Sequence, residues 1–345
     1  MISKPENDNA IHVALAIYDP NGTYSQHAGV VMASIFSNTK SPVCVHVLHD
    51  ETLTERNRSL LVETAEIFAQ RVEFHDVSPH MEQLGDETIQ SAMKSIWTVG
   101  MLFRLAIPDI LPLDKAIYLD CDIVVNMDIQ ELWDISVEDC SCAGALDTPH
   151  GSLSSTNFRR RLMGCDTGKY INTGVLLMNL PRMKEKLDLQ RAFLWFRRNR
   201  HCMQLPDQDL INSCLSGDIK ILENRFNNRS TYRNAGFCGD ARAEGVADCI
   251  LHQAKPWTEL RGSAQDYLYW VYFLKTPWGR LPPEELMCLL IDIVQKSPVT
   301  HRRTTQCYKA IFHRMRKDIF RNDIAVTIWF GVKDLYYRIK RALHR

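Results

Sequence analysis

A chain of 345 residues, 45% hydrophobic and 24% charged with 41 basic and 41 acidic side chains, has the composition of a globular protein able to bury a large core. No apolar run approaches the ~20 residues of a membrane span, and the polar start MISKPENDNA lacks a signal-peptide core, so a cytoplasmic protein is expected. The eleven cysteines are odd in number and hold no C-x-x-C pair, which argues for reduced thiols over a disulfide framework or zinc ribbon.

Residues 11–18 (IHVALAIY) read as a first strand, followed by the polar loop Asp19-Pro-Asn-Gly-Thr-Tyr24 and a helix over 27–36. Strand, polar loop and helix open many nucleotide-binding α/β units. G-x-G-x-x-G and G-x-x-x-x-G-K-[ST] are both absent, so a dinucleotide fold or P-loop is disfavoured and phosphate must be held another way. Strands over 43–49 and 72–77 flank a helix over 54–70 opened by a Thr52 or Thr54 cap. This alternation predicts a mostly parallel sheet. An apolar helix over 98–107, ended by Pro108, carries a lone Arg104. That side chain is either a snorkelling surface arginine or a phosphate clamp.

Residues 115–133 (KAIYLDCDIVVNMDIQELW) hold the densest signal. A short apolar strand ends in Asp120-Cys121-Asp122, and a second apolar run follows at once. Two acids in so apolar a setting are costly to desolvate without a partner. A hard divalent cation such as Mn²⁺ or Mg²⁺ takes carboxylate oxygens and also bridges phosphates. A bend at Cys121 would let both acids reach one ion at the carboxyl end of a strand, where open α/β sheets bind ligands. The alternative is a turn acid followed by a helix-capping acid.

Downstream, 142–146 reads as a strand with Asp147 at its end, 170–180 as a long strand with Asn172 and Thr173 near its start, and 181–200 as one helix. Asn172 suits either a sheet-end amide or a ligand contact. In Leu205-Pro-Asp-Gln-Asp-Leu210, Asp207 is a natural N-cap for a helix over 210–215, and Asp209 suits the positive end of its dipole. After a short apolar segment at 249–251 comes His252-Gln-Ala-Lys-Pro-Trp257, a compact polar group that matters if it lies beside Asp120 and Asp122.

Taken together, these pieces resemble glycosyltransferase family 8, retaining Mn²⁺-dependent transferases of the GT-A fold. The carrying residues are D-P-N-G-T-Y at 19–24, F-R-L at 103–105, Y-L-D-C-D at 118–122, N-T-G-V-L-L-M-N at 172–179, P-D-Q-D at 206–209 and H-Q-A-K-P-W at 252–257. The resemblance implies a UDP-sugar donor with galactose or glucose, a glycan or glycolipid acceptor, and a role in cell-surface polysaccharide or lipopolysaccharide synthesis. It implies Asp120, Asp122 and His252 as metal ligands and Asp19 and Tyr24 at the uridine. Arg104 and Lys255 would meet the diphosphate, Asp147, Asn172 and Gln208 the donor sugar, and Asp207 the reacting carbon. The first loop is longer than the family's common form, so Asn21 competes with Asp19. The interval from His252 to Lys255 is shorter than usual and lacks the family's glycine.

The expected architecture is a GT-A type, Rossmann-like α/β domain over 1–260, with a helical basic region over 261–345. Residues 301–345 carry twelve Lys and Arg against three Asp, with apolar side chains at helical spacing between them. Such a segment suits an anionic membrane surface on the inner face of the cell membrane, or else packs on the catalytic domain. It holds no recognisable nucleic-acid motif. Two rival functions remain: another metal-dependent enzyme acting on nucleotides, and a binding protein with little activity. The first predicts a glycine-rich phosphate loop, and the second predicts loss of the acids.

Overall fold

A computed structural model describes residues 9–81, 99–147, 153–199, 201–229, 248–252, 264–280 and 282. The chain opens as β1 (Ile11–Ile17), α1 (Ser25–Asn38), β2 (Val43–His49), α2 (Glu55–Ile67) and β3 (Arg71–Asp76). After a 3₁₀ segment, Val99–Ala106, come β4 (Lys115–Leu119), β5 (Ile123–Asn126), β6 (Cys142–Ala145), β7 (Val175–Asn179), β8 (Ile219–Leu222) and β9 (Cys249–His252).

Seven strands form one sheet in the order β3-β2-β1-β4-β7-β6-β8, and β5 pairs with β9 in a separate ribbon. β7 runs antiparallel to both of its neighbours, while the other pairs in the large sheet are parallel. Strand alternation divides the core. Val13, Leu15 and Ile17 face a cluster with α1, β5 and β9, and Ala14, Ala16 and Tyr118 face a second cluster with Leu102, Phe103, Leu210 and Ile211. Both faces are covered, which is why the central strands read as unbroken apolar runs.

The local rules hold in most places. Thr54 caps α2 by accepting from the Asn57 N–H, as its hydroxyl and extended backbone allow. Three expectations change. Pro108 does not end a helix but lies in the first turn of a short one, Ile107–Ile110, where its missing N–H is harmless. The single helix over 181–200 is two, Leu180–Lys186 and Leu189–Asn199, and the Asp188 carboxylate accepts the Arg191 N–H at the second start. The strand expected over 170–180 is regular only from Val175; before it, Ile171 bridges to Leu146 and the Asn172 N–H donates to the Ala145 carbonyl, which leaves Thr173 and Gly174 to the site contacts below.

Residues 264–280, which the sequence assigns to the C-terminal region, pack into the main core. Tyr269, Trp270 and Phe273 are buried with α1, and the Tyr269 hydroxyl lies 2.6 Å from His27 Nδ1. A β-carbon on Gly29 would stand 2.6 Å from the Trp278 ring, so this helix face is shaped for that indole. Lys255 and the basic tail over 301–345 lie outside the described residues. Among the described residues no helix is long and apolar enough to cross a membrane.

Candidate active site

β4 ends at Leu119, and one further bond, Asp120 N–H to the Gly174 carbonyl at 2.8 Å, extends its pairing past the strand end. Asp120 is thereby set against the Asn172–Gly174 segment. The chain then turns at Cys121 and Asp122 into β5, whose first residue, Ile123, pairs with His252 at the end of β9. Two independent registers thus bring three sequence-predicted ligands together. His252 Nε2 is 3.2 Å from an Asp122 oxygen and 3.7 Å from an Asp120 oxygen, and one ligand atom from each residue lies within 4.8 Å of the others. Cys121 between them takes no part: its thiol points at the Ala16 carbonyl, and burial holds its pKa far above the ordinary value.

The imidazole tautomer follows from the backbone. The Gly174 N–H can only donate, and it donates to Asn172 Oδ1. Asn172 Nδ2 therefore faces Gln208 Oε1 at 3.0 Å, and the Thr173 N–H points to the same oxygen. Asn172 Oδ1 also accepts from Asn227 Nδ2 at 2.9 Å, which turns Asn227 Oδ1 toward His252 Nδ1, 2.8 Å away. That nitrogen must then carry the proton. The Nε2 lone pair is left facing both acids, the form in which histidine ligates a metal. Two carboxylates and one imidazole fit a divalent ion such as Mn²⁺.

Gly174 closes the back of the site. A β-carbon there would stand 2.2 Å from His252 Cε1 and 2.7 Å from an Asp120 oxygen. The amide chain also leaves one donor poorly satisfied: Gln208 Nε2 is buried and meets no acceptor at normal hydrogen-bond distance, with the Tyr170 hydroxyl its neighbour. A buried donor of this kind is costly unless a ligand accepts from it, which suits a sugar hydroxyl.

Arg104 joins the two halves. Its Nη2 donates to Asp120 at 2.8 Å, its Nη1 lies 3.1 Å from Asp207 and donates to the Thr173 carbonyl at 2.9 Å, and its Nε donates to the Met101 carbonyl. The guanidinium also lies over the Tyr118 ring, 4.4 Å from its centre. Burial works against its charge, but Asp120 and Asp207 more than offset it and raise its pKa. The resemblance implies a phosphate-facing arginine; in the protein alone the guanidinium is paired with the carboxylates of Asp120 and Asp207.

Asp207 is not an N-cap. Leu205 occupies that position without a side-chain bond, and Asp207 lies inside the first turn of the helix Pro206–Cys214. Burial raises its pKa, with Arg104 acting in the opposite direction. The capping work passes to Asp209, which reaches back to the N–H groups of Gln204 and Leu205 and also accepts from Tyr170 and Arg159.

The remaining predicted residues are placed less openly. The Asp19 carboxylate accepts four bonds within the chain, from the Tyr24 and Ser25 N–H groups, the Ser25 hydroxyl and Asn57. It shapes the first loop, in which Pro20, Asn21, Gly22 and Thr23 are all exposed. Burial raises the pKa of the Tyr24 hydroxyl, and the nearby charges of Cys121, Asp122 and Asp120 add to that, which places Tyr24 beside the metal-type acids. Asp147 is paired with Arg160 at 2.7 Å and with Arg229, and Arg160 stacks on Tyr170. Asn227 and Gly174 carry structural weight that sequence reasoning did not assign. Gly174 falls within the quoted N-T-G stretch, but nothing local marks Asn227.

The family model for glycosyl transferase family 8 matches residues 16–260. The chain belongs to this family. A Haemophilus influenzae relative is 27% identical over 218 residues, 63% of this chain and 64% of that protein's length. The lipopolysaccharide 1,2-glucosyltransferase of Escherichia coli is 24% identical over 273 residues, covering 75% of this chain and 77% of that one. The crystal structure of the galactosyltransferase LgtC, in complex with donor and acceptor sugar analogues, superposes with a TM-score of 0.62 at 22% identity, over 81% of this chain and all of that one. That similarity shows a shared GT-A fold, in keeping with the mixed, mostly parallel sheet of this family 8 chain.

Proposed function

We propose that this family 8 chain is a retaining hexosyltransferase that moves galactose or glucose from a UDP-sugar to a glycan or glycolipid acceptor, with Mn²⁺ or Mg²⁺ as cofactor. The observation that carries the reading is the convergence of Asp120, Asp122 and the Nε2 lone pair of His252 beside the buried amide donor of Gln208. A divalent ion held there would neutralise the diphosphate and favour its departure.

The side chains divide the remaining work. Arg104 pairs with both Asp120 and Asp207 in a buried setting and sets their spacing. Asp207 presents negative charge where the sugar becomes oxocarbenium-like. Gln208 and Asn172 orient donor hydroxyls, with Gln208 Nε2 as the available donor. Asn21 and Tyr24 are suited to the nucleoside, and Lys255 to the diphosphate. Asp147, held by two arginines, supports the sugar pocket from the next strand end.

The basic segment over 301–345 supports an acceptor met at an anionic membrane, in lipopolysaccharide or other surface polysaccharide synthesis on the cytoplasmic side. The relative from Escherichia coli is named for lipopolysaccharide glucosylation, which favours the same class. The test is hydrolysis and transfer from UDP-galactose and UDP-glucose with and without Mn²⁺. Activity that survives chelation overturns the metal-dependent reading. Co-sedimentation with anionic and neutral vesicles checks the membrane; equal binding to both overturns that part.

A further inference from the structure

β1, β2 and β3 carry a group of side chains that the transfer chemistry does not use. In this parallel register His46 pairs with Ala14 on one side and Glu73 on the other, and His75 lies one step beyond, opposite Leu48. His12, His46, Glu73 and His75 therefore share one face of the sheet. Their rings form a diagonal ladder with 5.2 Å between successive centres.

We propose that His46 Nδ1, His75 Nε2 and the Glu73 carboxylate form a second metal site, for a transition-metal ion of the zinc class. His46 Nδ1 is 3.0 Å from His75 Nε2 and 3.5 Å from Glu73 Oε2, and His75 Nε2 is 4.0 Å from the same oxygen. A triangle with those edges has its corners about 2.1 Å from its centre, the bond length that zinc makes to imidazole and carboxylate. Two nitrogens and one oxygen suit zinc, nickel or copper better than magnesium or calcium, which prefer oxygen alone.

The surroundings fit. With Nδ1 turned to a metal, His46 keeps its proton on Nε2 and donates it to His12 Nδ1, 2.9 Å away, an outer-shell bond of the kind that orients ligating histidines. His46 is buried, while the Glu73 side chain is 52% exposed, so an ion can enter from solvent and keep open positions for water. β3 is the outermost strand of the sheet. The ion would tie it to β2 by side chains as well as by the ladder.

Full-length wild type, Asp122→Asn, His75→Ala and Glu73→Gln proteins are titrated with Zn²⁺ against a chromophoric chelator and melted with and without one equivalent. Asp122→Asn disables the Asp120–Asp122–His252 centre and should still bind zinc at this second site and gain thermal stability from it. His75→Ala and Glu73→Gln should each lose at least tenfold in affinity at that site, and their zinc-induced thermal shift should vanish. Glu73→Gln changes an exposed side chain without altering its size, so it tests the site without endangering the fold. If either variant keeps wild-type zinc affinity at the second site, or Asp122→Asn binds no zinc, the group is only a hydrogen-bonded imidazole ladder and the proposal is overturned.

Discussion

Asn227 Oδ1 stands 2.8 Å from His252 Nδ1, and that contact decides which imidazole nitrogen is left for a cation. The orientation descends from a backbone N–H, that of Gly174, through Asn172 to Asn227. Asn227→Ala removes the acceptor and frees the ring to adopt either tautomer. Outer-shell changes of this kind weaken metal binding about 10- to 100-fold. Mn²⁺ titration followed by electron paramagnetic resonance should show that loss while the protein remains folded. Unchanged affinity would mean that His252 is held by its strand alone.

The sequence carries the large sheet well, because parallel strands buried on both faces must be apolar throughout. The acids at 120 and 122 were legible for the same reason: charge inside such a run demands a partner. His252 was assigned to the same ion only through the family resemblance, since the β5–β9 register that brings it there joins residues more than a hundred apart. Asn227 was illegible because its role depends on two other amides. β8 (Ile219–Leu222) has only four residues, too few for its alternation to stand out, and it joins the sheet by pairing with β6. The sequence singles out Arg104 but not its protein partners, because a lone cation in an apolar segment does not reveal that Asp120 and Asp207 fold around it.

Asp122→Asn keeps the size of the side chain and removes one charged oxygen from the three-ligand group. The variant should fold normally and lose Mn²⁺-dependent transfer by at least about 100-fold, the scale of losing an electrostatic contact that acts on the transition state. Near-wild-type turnover in a folded protein would remove the metal assignment.

Gly174→Ala tests the close packing behind the site. The added carbon would stand 2.2 Å from His252 Cε1, a distance no real contact allows, and the ring is buried and held by Asn227. Overpacking typically destabilises by about 1–3 kcal/mol, and displacement of the ring should weaken Mn²⁺ binding about tenfold or more. Gly168→Ala is the control, since its β-carbon would meet only an Asp166 oxygen at 3.4 Å. A Gly174→Ala protein with wild-type metal affinity would show that the His252 ring is not tightly constrained.

Asp207→Asn separates capping from chemistry. Asparagine caps helices as well as aspartate does, and Leu205 occupies the cap position in any case. Arg104 retains Asp120 and the Thr173 carbonyl as partners. The melting temperature should therefore change little, whereas turnover should fall about 100-fold if the Asp207 charge serves the transition state. Steady-state kinetics beside a thermal melt distinguishes the two, and a wild-type rate refutes the catalytic role.

Asp218 supplies a test of stability against pH away from the chemistry. At the head of β8 it accepts two bonds from Arg182, at 2.9 and 2.6 Å, and lies 2.7 Å from Lys186 Nζ, with the Ser141 hydroxyl donating as well. The Arg182 bonds hold its pKa well below the usual carboxylate range, against a smaller opposing effect of burial. Because the folded value is depressed, the carboxylate contributes its full stability above the unfolded value of about 3.9 and loses it as pH falls toward the lower folded value. Both cationic partners are partly exposed, so solvent screens the interaction and Asp218→Asn should destabilise by only about 1 kcal/mol at pH 7. Urea denaturation at pH 7 should resolve that difference, and at about pH 3 it should be smaller, because the wild-type carboxylate has begun to forfeit its advantage. A gap that stays constant between the two pH values would mean that the Asp218 charge does not contribute, and that shape alone accounts for the loss.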